Sequence, residues 1–412
     1  MIDIHSEKQN RSITNFLTIT FGLLYIFLFQ MNYPFAADYF LYGISAVLFF
    51  SSLTKKRIVF NIQVVLFGMV VLFSFAGLFY TTMPAAGQRE AILFLLFFVI
   101  FFLVGSDAQL ITSFIRWAYF IAIITTITTI VQSVIPEQFN SFILPFFRKD
   151  CAEEFLSSYK IDKAFAGISA YTMNAAFFSA LVFGQSYLNI SKTNETPIIK
   201  NRVINIILII ISVYAIILSS KRGIFVAIVG ATIILMAAIY RNRNFILRMI
   251  GILALVALLL YILYQSNEFI AAFMDRFTKS EDITTGRGDI YHFVWQYFLD
   301  GSILFGRGTG AVYSVASYGA HDIYLQLLCD HGIIFSIPFY LFLIYNYCYA
   351  FKNKSFMSLY FQSIFLIYGI SGNPLYSNMF MIMYVFYILY ANISTGGKKE
   401  YESRNIDLPQ RR

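Results

Sequence analysis

Polar and apolar positions along this chain are sorted into long blocks rather than interleaved with the period of a water-soluble fold. Uncharged runs of about 18 residues or more recur, the length that a helix rising about 1.5 Å per residue needs to cross a hydrocarbon layer about 30 Å thick. They predict twelve spans, at 13–31, 35–53, 58–80, 90–105, 110–134, 170–191, 203–220, 223–240, 245–264, 331–351, 357–374 and 377–393. The first block, with its basic start, could pass for a signal peptide. It is long, no small-residue cleavage site follows it and further spans do, so it reads as a membrane helix. Two connections are long, 135–169 and 265–330, and the others leave no room for a separate soluble catalytic domain.

The expected fold is therefore all-α: a polytopic membrane protein of about twelve helices, with a large extracytoplasmic loop before the tenth span. Composition agrees, at 58% hydrophobic and 13% charged residues, against roughly 25% charged in soluble domains. Three regions follow: 1–202 with six spans and the outer loop 135–169, 203–351 with the loop 265–330, and 352–412 with the last two spans and a polar tail.

The net charge of +8 invites a nucleic-acid reading until its distribution is inspected. With the N-terminus inside, 18 of the 30 lysines and arginines fall on the inner side and 15 of the 22 acids on the outer side. That is the positive-inside bias, which puts both termini in the cytoplasm. The three cysteines, Cys151, Cys329 and Cys348, have no paired spacing that suggests a disulfide framework or a zinc site. No DxD, HExxH or GxSxG motif is present. Arg116, near the start of the fifth span beside Trp117, reads as a residue that snorkels to the interface.

One stretch resists the membrane pattern. "ILSSKRGIFVAIVG", Ile217–Gly230, sets Lys221 and Arg222 in the middle of 38 otherwise uncharged residues, Val203 to Tyr240. An arginine at a span centre costs about 2.5–3.5 kcal/mol on insertion scales, so the run reads as a hairpin with Ser219–Gly223 at its tip. The topology count turns that tip outward, against the charge bias. It is either a solvated turn or a cation held to meet an anionic ligand. On the same side lie Arg287, Arg307 and His321. A guanidinium grips phosphate oxygens with paired, charge-assisted hydrogen bonds, and a histidine can take a proton near neutral pH. "IYHFVWQYFL", Ile290–Leu299, predicts a short amphipathic helix that starts beside Arg287 and Asp289. "GRGTG", Gly306–Gly310, predicts a tight turn whose backbone N–H groups could approach the same anion. "HDIYLQLLCDHGIIF" predicts a helix that begins near His321 and leads into the tenth span, with Asp322 and Asp330 at hand.

In that order, "SSKRG", "GRGDIYHFVWQYFLDGSILFGRGTG" and "HDIYLQLLCDHGIIF" resemble the O-antigen ligase/polymerase family of bacterial membrane glycosyltransferases (Wzy-type polymerases and O-antigen ligases), over about Val203–Tyr349. The family's positions fall on Arg222, Arg287, Trp295, Gly306, Gly308, His321 and Gly332. Asp322 stands where Asn is usual, Lys221 where a small residue often precedes the arginine, and Phe335 replaces a second glycine common in the ligases. The resemblance implies transfer of a sugar chain from a polyprenyl-diphosphate carrier to an acceptor hydroxyl at the outer face of the bacterial cytoplasmic membrane, without metal or other cofactor. It implies that Arg222 and Arg287, with Lys221 and Arg307 secondary, bind the diphosphate, and that His321 is the general base, oriented by Asp322. Tyr291, Trp295, Tyr313 and Tyr318, with Gly306 and Gly308 shaping the loop, would meet the sugars. Expected partners are the lipid-linked oligosaccharide, the bilayer, a chain-length regulator and a flippase, and no nucleic acid. Three functions compete: a repeat-unit polymerase for O-antigen, capsule or exopolysaccharide; an O-antigen ligase; and a transporter or flippase for an anionic solute.

Overall fold

The computed structural model describes residues 4–30, 34–52, 61–105, 107–191, 197–240, 261, 264–265, 268–278, 287–317 and 319–406. Among them there are fifteen α-helices and no β-strand. These are α1 (Ile4–Gln30), α2 (Pro34–Ser52), α3 (Ile62–Ala76), α4 (Pro84–Val104), α5 (Ala108–Val134), α6 (Pro136–Ile143), α7 (Lys149–Asp162) and α8 (Thr172–Ser191). Then follow α9 (Arg202–Leu218), α10 (Arg222–Ile239), α11 (Glu268–Thr278), α12 (Arg287–Leu299), α13 (Ile323–Lys352), α14 (Phe356–Tyr368) and α15 (Asn378–Ile406). Eleven of the twelve expected spans coincide with helices; the ninth, 245–264, lies almost wholly outside the described residues. Five helices or helix pairs are long and apolar enough to cross a membrane: Ile62–Phe79, Pro84–Val104, Ala108–Val134, Arg222–Ile239 and Ile323–Lys352. Shorter apolar helices occupy Ser12–Phe27, Tyr39–Ser51, Arg202–Leu218, Phe356–Tyr368 and Met379–Ile393.

Local signals set the helix starts. Asn61, Asp107, Asn201 and Asp322 are N-caps whose side chains accept from amides of the first turn, and Pro84 and Pro136 open α4 and α6, where a missing N–H leaves no bond unmade. Helix α15 is apolar on every side and buried on every side from Met379 to Leu389, which makes it the bundle's central helix. Around it stand α4, α5, α13 and α14. Side-chain amides tie the helices at one end: Gln63 on α3 donates to Asn346 on α13 at 2.7 Å, and Asn392 on α15 donates to Gln63 at 2.9 Å. Such bonds hold helices together where lipid and side chains are equally apolar.

At the opposite end meet the connections that the charge count expects to be outer. Phe165, in the loop after α7, donates its amide to Leu218 at the end of α9 (3.0 Å). Tyr80, after α3, donates to the Phe305 carbonyl (2.7 Å), and Thr309 donates to Ser74 on α3 (2.7 Å). The two long loops, the Lys221–Arg222 tip and the α3–α4 connection therefore share one end of the bundle.

Candidate functional site

The uncharged run is the expected hairpin. Helix α9 ends at Leu218, Ser220 takes a positive φ of 57°, Lys221 is the N-cap of α10 and Arg222 its first residue. The two arms diverge: α9 lies on α8 and α5, and α10 lies on α14. A Cβ at Gly223 would come within 2.5 Å of Ser371 Oγ, so α10 approaches the turn after α14 as closely as a glycine allows. The tip that carries Lys221 and Arg222 is thereby delivered to residues 369–372.

Helix α12 reaches the same turn from the other side. Arg287, Tyr291, Val294 and Phe298 follow one another at steps of four, three and four, which puts them on one helix stripe. Val294 and Phe298 bury against the start of α13, and the polar half of the stripe faces the turn. Arg287 Nη1 donates to the Ser371 carbonyl at 2.6 Å. The Tyr291 hydroxyl lies 3.2 Å from both the Ile370 and the His321 carbonyls. The amide of Ile323, the first residue of α13, donates to the Gly369 carbonyl at 2.9 Å. Residues 369–371 are thus where three chain segments meet. Sequence reasoning missed them because the turn "GISG" carries no charge. Its glycine punctuation and its place between the eleventh and twelfth spans were the available signals.

His321 sits half-buried at this junction with φ 54°. Burial, Arg287 and Lys221, in that order, hold its imidazole below the ordinary histidine pKa, so it enters neutral solution as a free base. Asp322 Oδ1 accepts from the amides of Tyr324 (2.8 Å) and Leu325 (3.0 Å). Burial raises this carboxyl, and the two amides oppose the rise. Its visible role is to cap α13 and so fix the chain at His321; the expected contact with the ring is not what engages it.

Arg307 does not join this group. Its Nε donates to the Tyr297 carbonyl at 2.9 Å and its guanidinium lies 4.3 Å from the centroid of the Tyr297 ring. Tyr297 stands ten residues along α12 from Arg287, about 15 Å of helix. The glycine turn also differs from the expectation of open amides. The amides of Gly306, Arg307 and Gly308 donate to the carbonyls of Ser302 (2.6 Å), Cys329 (2.9 Å) and Asp330 (2.8 Å). The turn does cradle a carboxyl group, that of its own Asp330, whose Oδ1 accepts from Val312 (2.9 Å) while the Gly310 and Ala311 amides point at the same group.

Gly306 and Gly308 are packing positions. A Cβ on Gly306 would meet the Asp330 carbonyl at 2.6 Å, and one on Gly308 the Gly77 carbonyl at 2.6 Å. Trp295 is exposed, its ring centroid 5.5 Å from that of Phe298. Tyr313, expected to offer a sugar-binding face, turns inward beside Glu90, and burial followed by that carboxylate raises its hydroxyl pKa. Tyr318 lies outside the described residues. Phe335, where the ligases often carry glycine, stacks on Phe73 of α3 with ring centroids 4.5 Å apart.

No curated protein matches the chain. A family model described as O-antigen ligase matches residues 207–340. The matched stretch starts in α9, takes in the Lys221–Arg222 tip, α12, the glycine turn and His321, and ends in α13, the segments that meet at the 369–372 turn. This chain is a multi-helix membrane protein whose residues 207–340 are similar to the O-antigen ligase family.

Proposed function

We propose that this protein is a repeat-unit polymerase: it moves a growing oligosaccharide from polyprenyl diphosphate onto a hydroxyl of the next lipid-linked unit, at the outer face of the cytoplasmic membrane. The observation that carries this reading is the convergence on residues 369–371 of three distant segments: the α9–α10 tip with Lys221 and Arg222, the start of α12 with Arg287, and the turn that holds His321. In the reaction, the acceptor oxygen forms a bond to the anomeric carbon as the bond from that carbon to the phosphate oxygen breaks. The diphosphate leaves with the electron pair, and the hydroxyl proton passes to His321. Arg222 and Arg287 hold the leaving diphosphate, and fixed guanidinium groups stabilise charge that grows in the transition state more than charge already present in the substrate. The low basicity of His321 keeps it unprotonated and ready near neutral pH.

The match to O-antigen ligases favours a second reading, transfer of finished polymer to lipid A–core. Phe335 in place of the second glycine weighs toward polymerase. A transporter of anionic solutes would need its charges near mid-membrane; here they gather at one end of the bundle. In a host deleted for its own copy, Arg222→Ala, Arg287→Ala or His321→Ala at normal expression should reduce long polysaccharide to single repeat units. Full-length polymer from all three variants would refute the proposal, and uncapped long polymer confined to the carrier lipid would make the ligase reading correct instead.

A further inference from the structure

The turn between α12 and the glycine loop has its polar and apolar parts the wrong way round for a turn in water. Residues Ser302–Gly306, "SILFG", fold back on themselves, and the Gly306 amide donates to the Ser302 carbonyl (2.6 Å). A turn in water leaves backbone carbonyls to the solvent and draws its large apolar side chains inward. Here Ile303, Leu304 and Phe305 are all exposed, while the carbonyls of residues 302–305 are all taken up by the protein. Ile303 and Leu304 accept from the amides of Ile333 (3.0 Å) and Ile334 (2.9 Å), and Phe305 accepts from the Tyr80 hydroxyl (2.7 Å). The Phe305 amide donates to Ser302 Oγ (3.2 Å). Carbonyls satisfied internally beneath an apolar surface are what hydrocarbon requires of a backbone and water does not.

The level of the turn along the bundle fits the same medium. Gly332 breaks α13, so Ile333 opens the part of the helix that runs to Lys352. That part is about 30 Å long, the thickness of a hydrocarbon layer. With Lys352 at one boundary, Ile333 stands at the other, and the turn is bonded to Ile333 and Ile334. Ile333, Ile337, Leu341 and Ile344 follow at steps of four, four and three as an exposed stripe on α13. On α3, Ile62, Val65, Met69 and Leu72 make a second exposed stripe, which runs up to Phe79, 92% exposed. Phe305 stands between the two: its ring centroid is 5.3 Å from that of Phe335, which in turn stacks on Phe73 of α3. We infer that Ile303–Phe305, together with Phe79 next to the tyrosine that holds Phe305, form a wedge that enters the lipid leaflet at this end of the bundle. The occupant is lipid because the patch lies at the hydrocarbon boundary set by α13 and prolongs the exposed stripes of two membrane helices. The wedge holds the glycine turn and the end of α12 at the depth of the lipid headgroups, where Tyr80 supplies the amphipathic ring typical of that level. This inference goes beyond sugar transfer and does not depend on it.

A fluorophore read by two quenchers tests the wedge. In a Cys151→Ser, Cys348→Ser background, Leu304→Cys is labelled with nitrobenzoxadiazole and the protein is placed in phosphatidylcholine nanodiscs. Cys329 is fully buried, and the background protein gives the blank. Glu153→Cys, at an exposed acid of α7 on the same end of the bundle, is the reference in water. Quenching by phosphatidylcholine that carries a nitroxide at carbon 5 of one acyl chain is compared with quenching by iodide. The ratio of lipid to iodide quenching is expected to be at least about 3-fold higher at Leu304→Cys than at Glu153→Cys, as for a group about 5–10 Å into the boundary between headgroups and acyl chains. Equal ratios would overturn the proposal. So would protection from iodide without quenching by lipid, which would put a second copy or another protein on the patch. Should Leu304→Cys fail to fold, Phe79→Cys, at a side chain with almost no packing to lose, is read in the same way. Because no sugar is transferred, the result is independent of whether the polymerase reading holds.

Discussion

Replacing Gly332 with alanine tests how the loop after α12 is mounted on the bundle. Gly332 interrupts α13 with φ 65° and ψ −173°, a region open essentially to glycine alone. Forcing alanine there costs about 1–3 kcal/mol in backbone strain. The new Cβ would also strike Phe305 N and Leu304 C at 2.5 Å, so residues 303–308 would have to move away. That movement breaks four backbone bonds: Arg307 to Cys329 (2.9 Å), Gly308 to Asp330 (2.8 Å), Ile333 to Ile303 (3.0 Å) and Ile334 to Leu304 (2.9 Å). At about 1 kcal/mol net each, detachment costs about 4 kcal/mol, and the protein takes whichever route is cheaper. The expected loss is about 1–3 kcal/mol, seen as a drop of several degrees in thermal unfolding of the detergent-solubilised protein. Gly105→Ala is the control: Gly105 also has positive φ (52°), but its nearest neighbour, Phe102 O, is 3.5 Å away. Should Gly332→Ala unfold no earlier than Gly105→Ala, the loop is not held as described.

Three further outcomes follow from the site. Because burial, then Arg287 and Lys221, depress the His321 pKa, activity should fall on acidification only below the ordinary histidine range, and Lys221→Gln should move that acidic limb to higher pH; an unchanged limb in the transfer rate against pH would exclude His321 as the base. Asp322→Asn should keep the cap on α13, whereas Asp322→Ala should lower stability by about 1 kcal/mol in thermal melts; equal losses would mean that the charge, not the cap, matters. Arg307→Gln removes a guanidinium–ring contact and a carbonyl bond, together about 2 kcal/mol, so it should lower the melting temperature while leaving binding of a diphosphate lipid within about 2-fold, as read by equilibrium binding.

Much of the fold was legible because membrane spans announce themselves by length and the absence of charge. The Lys221–Arg222 tip was legible for the same reason, as a costly exception to the pattern. The amphipathic helix after Arg287 and the turn at Gly306–Gly310 were readable from aromatic spacing and glycine content. What the turn does with its amides was not, because its partner, Asp330, lies some 20 residues on and is brought back only by the break at Gly332. Pairings that depend on chain reversal leave no local trace. The uncharged junction at Gly369–Ser371 was hidden by its ordinary composition, since its carbonyl oxygens do the work and every residue has one.

Arg222 and Arg287 are proposed to hold the diphosphate while its sugar departs to a hydroxyl deprotonated by His321. The most direct test is release of polyprenyl diphosphate by purified protein given one defined lipid-linked repeat unit as both donor and acceptor. The account predicts release matched by a ladder of longer lipid-linked products, with at least about a 100-fold loss in Arg287→Gln and His321→Asn. Undiminished release by both variants would contradict it.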